Sequence, residues 1–272
     1  MNVELAQVTG RDGDVPYNLA RTLALIEACA SDTELLVLPE TYLTGFPTRD
    51  NVARLAEPLD GPMLAQVHQA AKARNIAVAV GFAEVHEGRY FNTTVLITPE
   101  HGVALHYRKT HLWSGERDVF EAGDRMSTVL WRGVRVGLLI CYDIEFPEPA
   151  RALGQLGAQL LLVTNGNFDP YGPTHRTCVM ARALENQAFA VMVNRVGAGD
   201  DNLVFAGGSA VVDPFGDLLV EAGRDEATLR LTLDMNLLAK AREPYIYDRH
   251  QRMRLRGEVI ETGDRRDLLI SP

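Results

Sequence analysis

Three side chains of different chemistry each stand directly after an apolar run. Glu40 ends LLVLPE, Lys109 follows a strand in HYRKTHLW and Cys141 ends VGLLIC, with separations of 69 and 32 residues. A thiol attacks carbonyls as its thiolate, so the surroundings of Cys141 decide whether it reacts. YDIEFPE follows it, and Pro147 is well placed to open a helix. Cys141 therefore sits at a strand-to-helix junction, where unpaired backbone N–H groups favour a thiolate or a nearby oxyanion. Glu40 lies just past a fully apolar strand and is a candidate for a perturbed base, because carboxylates are almost never fully buried without a partner. Lys109 and Glu116, seven residues apart, share a Gly-containing loop at a strand end, where catalytic groups commonly sit.

Plain structural readings compete with each of these. Cys141 can simply finish a buried strand, Glu40 can be a solvated strand end, and Lys109 can belong to a solvated loop with Arg108, Arg117 and Asp118. The other two cysteines, Cys29 in TLALIEACA and Cys178 in THRTCVMARALENQ, read as small buried hydrophobes. Three widely spaced thiols fit neither a disulfide framework nor a paired-cysteine zinc site, so reduced thiols are expected. His106 and His111 have no helical ligand spacing and no evident acidic third ligand, so no metal is expected.

The elements that must carry these groups alternate along the chain. Strands are expected at 3–8, 35–39, 76–82, 93–98, 134–141, 158–164 and 189–196, where short runs are rich in Val, Ile and Leu. Helices are expected at 18–30, 63–74, 147–156 and 175–187. That order is α/β. LVFAGGSAVVDPFGDLLVEAG reads as two strands joined at Asp213-Pro214-Phe215-Gly216, which makes the sheet mixed. From about residue 239 periodicity fades and charge rises, so the tail is expected to be a peripheral arm or an oligomer contact.

A chain of 272 residues with 46% hydrophobic and 23% charged residues has globular composition. It is long enough to bury about 75% of its unfolded surface. No linker-like stretch interrupts it, so residues 1–272 are expected to form one domain. The net charge of −9 is spread out, which disfavours nucleic acid as a partner. No leader pattern and no apolar run of membrane-spanning length is visible, so no membrane association and a cytoplasmic location are expected.

Taken together, LLVLPETYLTGF, YRKTHLW and GLLICYDIEFPEPAR resemble the nitrilase superfamily of carbon-nitrogen hydrolases, in the right order and spacing. Further matches are LAQV near the start, ARALENQ, the Asn194 strand end and GGSAVVDPFGDLL, so the likeness runs from residue 3 to about 235. The resemblance implies an αββα sandwich of the nitrilase type that pairs into an αββα-αββα homodimer or a higher homo-oligomer. It implies that Glu40, Lys109 and Cys141 are catalytic and that Glu116 is a second glutamate and the fourth catalytic residue. By residue type, Glu40 then takes the thiol proton and Cys141 attacks the carbonyl. Lys109 and the Tyr142 backbone N–H would stabilise the oxyanion.

Cys141-Tyr142-Asp143 is more like amide hydrolases of the superfamily than like its nitrile hydrolases, which implies an amidase acting on a small-molecule amide without a cofactor. YRKTHLW, TNGNFDPYGP and VNRVGAGDD are similar to bacterial amidases of linear and cyclic amino carboxamides. Asn167 and Tyr171 follow a strand on the same side as Cys141 and are expected to line the substrate pocket; a turn built on Asn-Gly and Asp-Pro accounts for them equally well. An N-carbamoyl amine hydrolase using the same residues, and a scaffold that lost the chemistry, are the alternatives.

Overall fold

Short aliphatic runs separated by Gly, Pro and Asn punctuation give strands, and proline at the first turn with a left-handed stop gives helices. In the computed structural model, which describes residues 1–243 and 245–270 except the side chains of Asp201 and Asp248, the chain falls into two halves of matching order. The first contains β1 (Asn2–Gln7), α1 (Val15–Ala28), β2 (Leu35–Val37), α2 (Val52–Leu55), α3 (Pro62–Arg74), β3 (Ala77–His86), β4 (Arg89–Thr98) and β5 (Gly102–Arg108). The second contains β6 (Arg125–Trp131), β7 (Val134–Ile140), α4 (Pro147–Gln155), β8 (Leu160–Thr164), α5 (Gly172–Asn186), β9 (Phe189–Val193), β10 (Val196–Ala198), β11 (Val204–Ala206), β12 (Ala210–Val212) and β13 (Leu218–Glu221). The chain closes with β14 (Ala227–Thr232), α6 (Asn236–Arg242), α7 (Tyr247–His250), β15 (Val259–Thr262) and β16 (Arg265–Leu269).

Local chemistry explains the helix ends. The Asp14 side chain accepts from the Tyr17 N–H to cap α1, while α3, α4 and α5 each carry proline in the first turn. Asn75 and Gln187 stop α3 and α5 in the left-handed conformation. Among the described residues no helix is long and apolar enough to cross a membrane.

One sheet has the order β14-β1-β2-β3-β4-β5; the other runs β13-β12-β9-β8-β7-β6-β16-β15. In both, three parallel strands (β1, β2, β3 and β7, β8, β9) are flanked by antiparallel ones, so the sheets are mixed as expected. Alternation along β1 and β2 splits the core. Val3, Leu5, Leu35 and Val37 face the second sheet, and Ala6 and Leu36 join α1 and α3 residues such as Ile26 and Val67 on the outer face. With α4 and α5 on the far side, the layers are helix, sheet, sheet, helix. Gly81 on β3 is required by contact: a Cβ there would lie 2.3 Å from the Thr41 backbone nitrogen.

Each of the seven expected strands and four expected helices forms, with shifted ends. The run at 189–196 breaks at Asn194, and Phe205 belongs to a separate short strand, β11, paired with β10. The charged tail is not featureless. It makes the β15–β16 hairpin, and β16 pairs antiparallel with β6 at the edge of the second sheet while β15 stays exposed.

Between the sheets, the Thr94 and Thr164 hydroxyls meet at 2.6 Å, both fully buried. Thr164→Val should strand the Thr94 hydroxyl and cost about 1–3 kcal/mol of stability, and adding Thr94→Val should restore most of that loss. Equilibrium urea unfolding checks this, and a single variant as stable as the parent would show that the pair contributes nothing.

Candidate active site

The strand ends converge at one end of the sandwich. Glu40 follows β2, Lys109 follows β5, Cys141 follows β7, and 165–167 follow β8. Glu116 comes from a 3-10 turn, Ser114–Glu116. The Lys109 Nζ donates to Glu40 Oε1 and to Glu116 Oε2, each at 2.7 Å. Asn92, on β4, donates its Nδ2 to Glu40 Oε1 at 2.8 Å and to Glu116 Oε1 at 2.7 Å. The Trp113 backbone N–H holds Glu116 Oε2 at 2.9 Å. All four side chains are buried. Buried charges are tolerated only when paired and hydrogen-bonded, and this network meets that condition for every carboxylate oxygen but Glu40 Oε2, which has no partner among the described residues.

Cys141 opens a 3-10 turn, Cys141–Glu145, with φ of 44°, a conformation costly for a residue with a side chain; Thr41, next to Glu40, has the same φ. Strain thus sits beside both the carboxylate and the thiol. The Tyr142 N–H lies in the first turn of that 3-10 segment, where helical N–H groups lack partners within the turn. Gly166 lets the β8 loop approach, since a Cβ there would fall 2.5 Å from the Phe46 ring and 2.8 Å from Glu40 Oε2.

Burial raises the Glu40 carboxyl pKa; the Lys109 ammonium and the Asn92 amide oppose this and Glu116 adds to it. For Lys109 burial works against the charge, yet Glu116 and Glu40 carry its pKa well above the usual lysine value. Burial raises the Cys141 thiol well above its ordinary pKa, and the Glu40 charge adds to this against Lys109 and the Gly166 backbone. This corrects the expectation from the strand-end position, which favoured a thiolate. Unpaired N–H groups of one short turn do not offset desolvation and an adjacent carboxylate.

The cluster forms the floor of a cavity of about 630 Å³ that also reaches Asn167 and Tyr171. Asn167 is buried; its Oδ1 accepts from Asn194 Nδ2 at 2.5 Å, and its own Nδ2 has no partner among the described residues. Tyr171 stands at the mouth, edge-on to Phe168, which is edge-on to Trp113. One wall is braced by Arg195, which pairs with Asp12 at 2.7 Å and lies over the Phe205 ring at 4.2 Å.

Of the two histidines weighed as metal ligands, His106 is on β5, and His111 turns to Asp143, with Nδ1 to Oδ1 at 3.0 Å. Cys29 is buried and Cys178 half-buried, away from the cavity lining. Sequence reasoning missed Asn92, Asp143 and His175. Asn92, the one amide in the strand RYFNTTVLIT, was a visible signal; His175, on α5, gave none until folding placed it in the cavity.

A helix–sheet–sheet–helix sandwich with a glutamate–lysine–glutamate cluster beside a strand-end cysteine defines the nitrilase-type class of fold and site. A carbon-nitrogen hydrolase family model matches residues 2–243, and the chain belongs to that family. It is 62% identical over 271 residues to an (R)-stereoselective amidase of a Pseudomonas species, covering 99% of this chain and 98% of that one. It is 31% identical over 234 residues to a 2-oxoglutaramate amidase of Bacillus subtilis, covering 85% of this chain and 90% of the relative. Among solved structures, a CN-hydrolase superfamily protein of Xanthomonas campestris superposes with a TM-score of 0.87 at 29% identity over 94% of this chain and 99% of its own. An amidase of a Nesterenkonia species, solved with acrylamide added to its active-site cysteine, gives 0.79 at 28% identity over 90% and 97%.

Asp143 ties the Cys141 turn to the Lys109 loop. Its carboxylate accepts from Tyr107 Oη and Thr110 Oγ1 at 2.9 Å, from the His111 N–H at 2.9 Å and from the Ile140 N–H at 3.1 Å. Asp143→Ala would remove the acceptor that these donors share, among them the buried Tyr107 hydroxyl and Ile140 N–H, and a loss of about 3 kcal/mol or more is expected. Chemical denaturation tests it; an unchanged midpoint would show that the donors find other partners.

Proposed function

We propose that the protein is an amidase that hydrolyses small carboxamides to carboxylate and ammonia through a thioester on Cys141. The observation that supports this best is Lys109 held between the buried carboxylates of Glu40 and Glu116 beside the thiol, on the floor of a cavity. In this reading Glu40 takes the Cys141 proton as sulfur attacks the amide carbon, so no free thiolate has to persist. The Lys109 ammonium and the Tyr142 N–H receive the oxyanion; removal of one such donor typically costs about 2.7–4 kcal/mol of barrier. Glu40 returns the proton to the departing amine, and ammonia leaves. Glu40 then removes a proton from water, which attacks the thioester, and returns it to sulfur as the carboxylate is released. Glu116 holds Lys109 and, through Asn92, keeps Glu40 in place. Asn167 and Tyr171 contact the acyl group in this reading, and the chemistry calls for no cofactor.

A single domain acting as a cytoplasmic homodimer is part of the same proposal. Three unpaired cysteines suit a reducing compartment. Exposed Val259 and Ile260 on β15 and exposed Met253 supply apolar surface for a second copy.

Cys141→Ala should reduce ammonia release from carboxamides to background, and release at the parent rate would remove the thioester from the mechanism. Carbon dioxide accompanying ammonia from ureido acids would identify an N-carbamoyl hydrolase instead. The pH profile provides an independent check. Glu40 must be ionised to accept the thiol proton, so kcat/KM should fall on acidification through a midpoint above the ordinary carboxylate range, because burial raises that pKa. Asn92 donates to the charged form and lowers the pKa, so Asn92→Leu should move the acid limb to higher pH. A limb that stays put or moves to lower pH would show that Glu40 is not the base.

A further inference from the structure

The cavity holds acidic groups that the proposed chemistry does not use. Beyond Glu40 and Glu116 its lining includes Asp12, Asp118, Glu145 and Asp200, against one basic side chain besides Lys109, namely Arg49. Asp12 is neutralised by Arg195. Asp118 and Asp200 are exposed to water. Glu145 differs from both. It ends the 3-10 turn that Cys141 begins, four residues on, and is partly buried in the cavity wall.

Its partner is a histidine. Glu145 Oε1 lies 3.1 Å from Nε2 of His175, which is 2% exposed. Burial, with the nearby Lys109 charge, lowers the His175 pKa to about 4, so near neutral pH the ring is uncharged. The neutral ring donates its Nε2–H to the carboxylate and brings no positive charge. Among the described residues no lysine or arginine pairs with Glu145, and burial raises its pKa. With Nε2 as the donor, His175 Nδ1 is an acceptor, and this buried atom has no partner among the described residues. The wall therefore presents a carboxylate with no cationic partner, and it asks a ligand for donors and positive charge. Trp113, Phe168 and Tyr171 line the same cavity, edge to face at 5.3 and 5.6 Å, and aromatic faces attract ammonium groups.

We propose that Glu145, held in place by His175, forms a subsite for a protonated amine on the acyl part of the substrate, so that preferred substrates are carboxamides carrying an ammonium group. This rests on the amidase reading and narrows its substrate class. A carboxylate on the acyl part would meet like charge there and be disfavoured.

The test compares an ω-amino or cyclic amino carboxamide with the neutral amide in which a methyl or methylene group replaces the amine. The intact enzyme should favour the ammonium substrate in kcat/KM by about tenfold or more. Glu145→Gln should collapse that ratio, chiefly by raising KM for the ammonium substrate. Simple alkylammonium ions should compete with the neutral amide on the intact enzyme. Equal kcat/KM for the two substrates, or a ratio that survives Glu145→Gln, would overturn the subsite while leaving the amidase reading standing. No ammonia from either amide would overturn the amidase reading itself. If the variant does not fold, the ratio and the alkylammonium competition on the intact enzyme still decide.

Discussion

A lysine ammonium buried with two carboxylates is the constraint around which this end of the molecule is arranged. Removing one member of such a group leaves an uncompensated charge and typically costs about 3–5 kcal/mol. Lys109, Glu40, Glu116 and Asn92 come from the end of β5, the end of β2, a 3-10 turn and β4, and their contacts lie between 2.7 and 2.8 Å. Those elements must therefore meet with little freedom. Positive φ at Thr41 and Cys141 is local strain that this packing sustains. Asp143 extends the network from the lysine loop to the turn that begins with the cysteine.

The same cluster explains why a cysteine with a raised pKa suits the proposed chemistry. With Cys141 as the thiol, Glu40, Lys109 and Glu116 together carry one negative charge. Loss of a proton to water would add a second in a desolvated site, which is why burial and Glu40 hold the thiol above its ordinary pKa. Transfer of that proton to Glu40 leaves the total unchanged. The unpartnered Glu40 Oε2 is an acceptor available for that proton. Both carboxylates raise the Lys109 pKa, so the proposed chemistry has a fixed cation in place for the oxyanion.

Much of this was legible in the chain. Apolar runs ending in Glu40 and Cys141 marked strand ends, and Pro147 marked a helix start through local stereochemistry. What the sequence could not show depends on long-range approach. Glu145 and His175 are thirty residues apart and look like an ordinary surface acid and an ordinary helical histidine until β7 and α5 bring them together. The thiol pKa was misjudged for a related reason: the effect of the turn is local and readable, whereas burial and the Glu40 charge arise from the assembled sandwich. The edge hairpin β15–β16 was missed because its residues are mostly exposed and lack the alternation by which strands are read.

The two halves share an order of strands and helices, yet among the described residues only one buried lysine–carboxylate cluster occurs, and the reason is steric and electrostatic. β8 occupies in the second sheet the place of β2 in the first, so the segment after β8 is the counterpart of the one that carries Glu40. There the chain has Asn165 and Gly166, and any side chain at 166 would collide with Glu40 Oε2 and Phe46. A second carboxylate in that position would also face Glu40 inside a desolvated cavity with a single ammonium already shared. One half must withdraw for the other to present its charges. The space so opened is bounded on the second half's side by Asn167, Phe168, Glu145 and His175. In the proposed chemistry the first half thus supplies base and cation, while the second supplies the nucleophile and the wall that meets the acyl group, so changes in acyl preference can arise there without disturbing the buried ions.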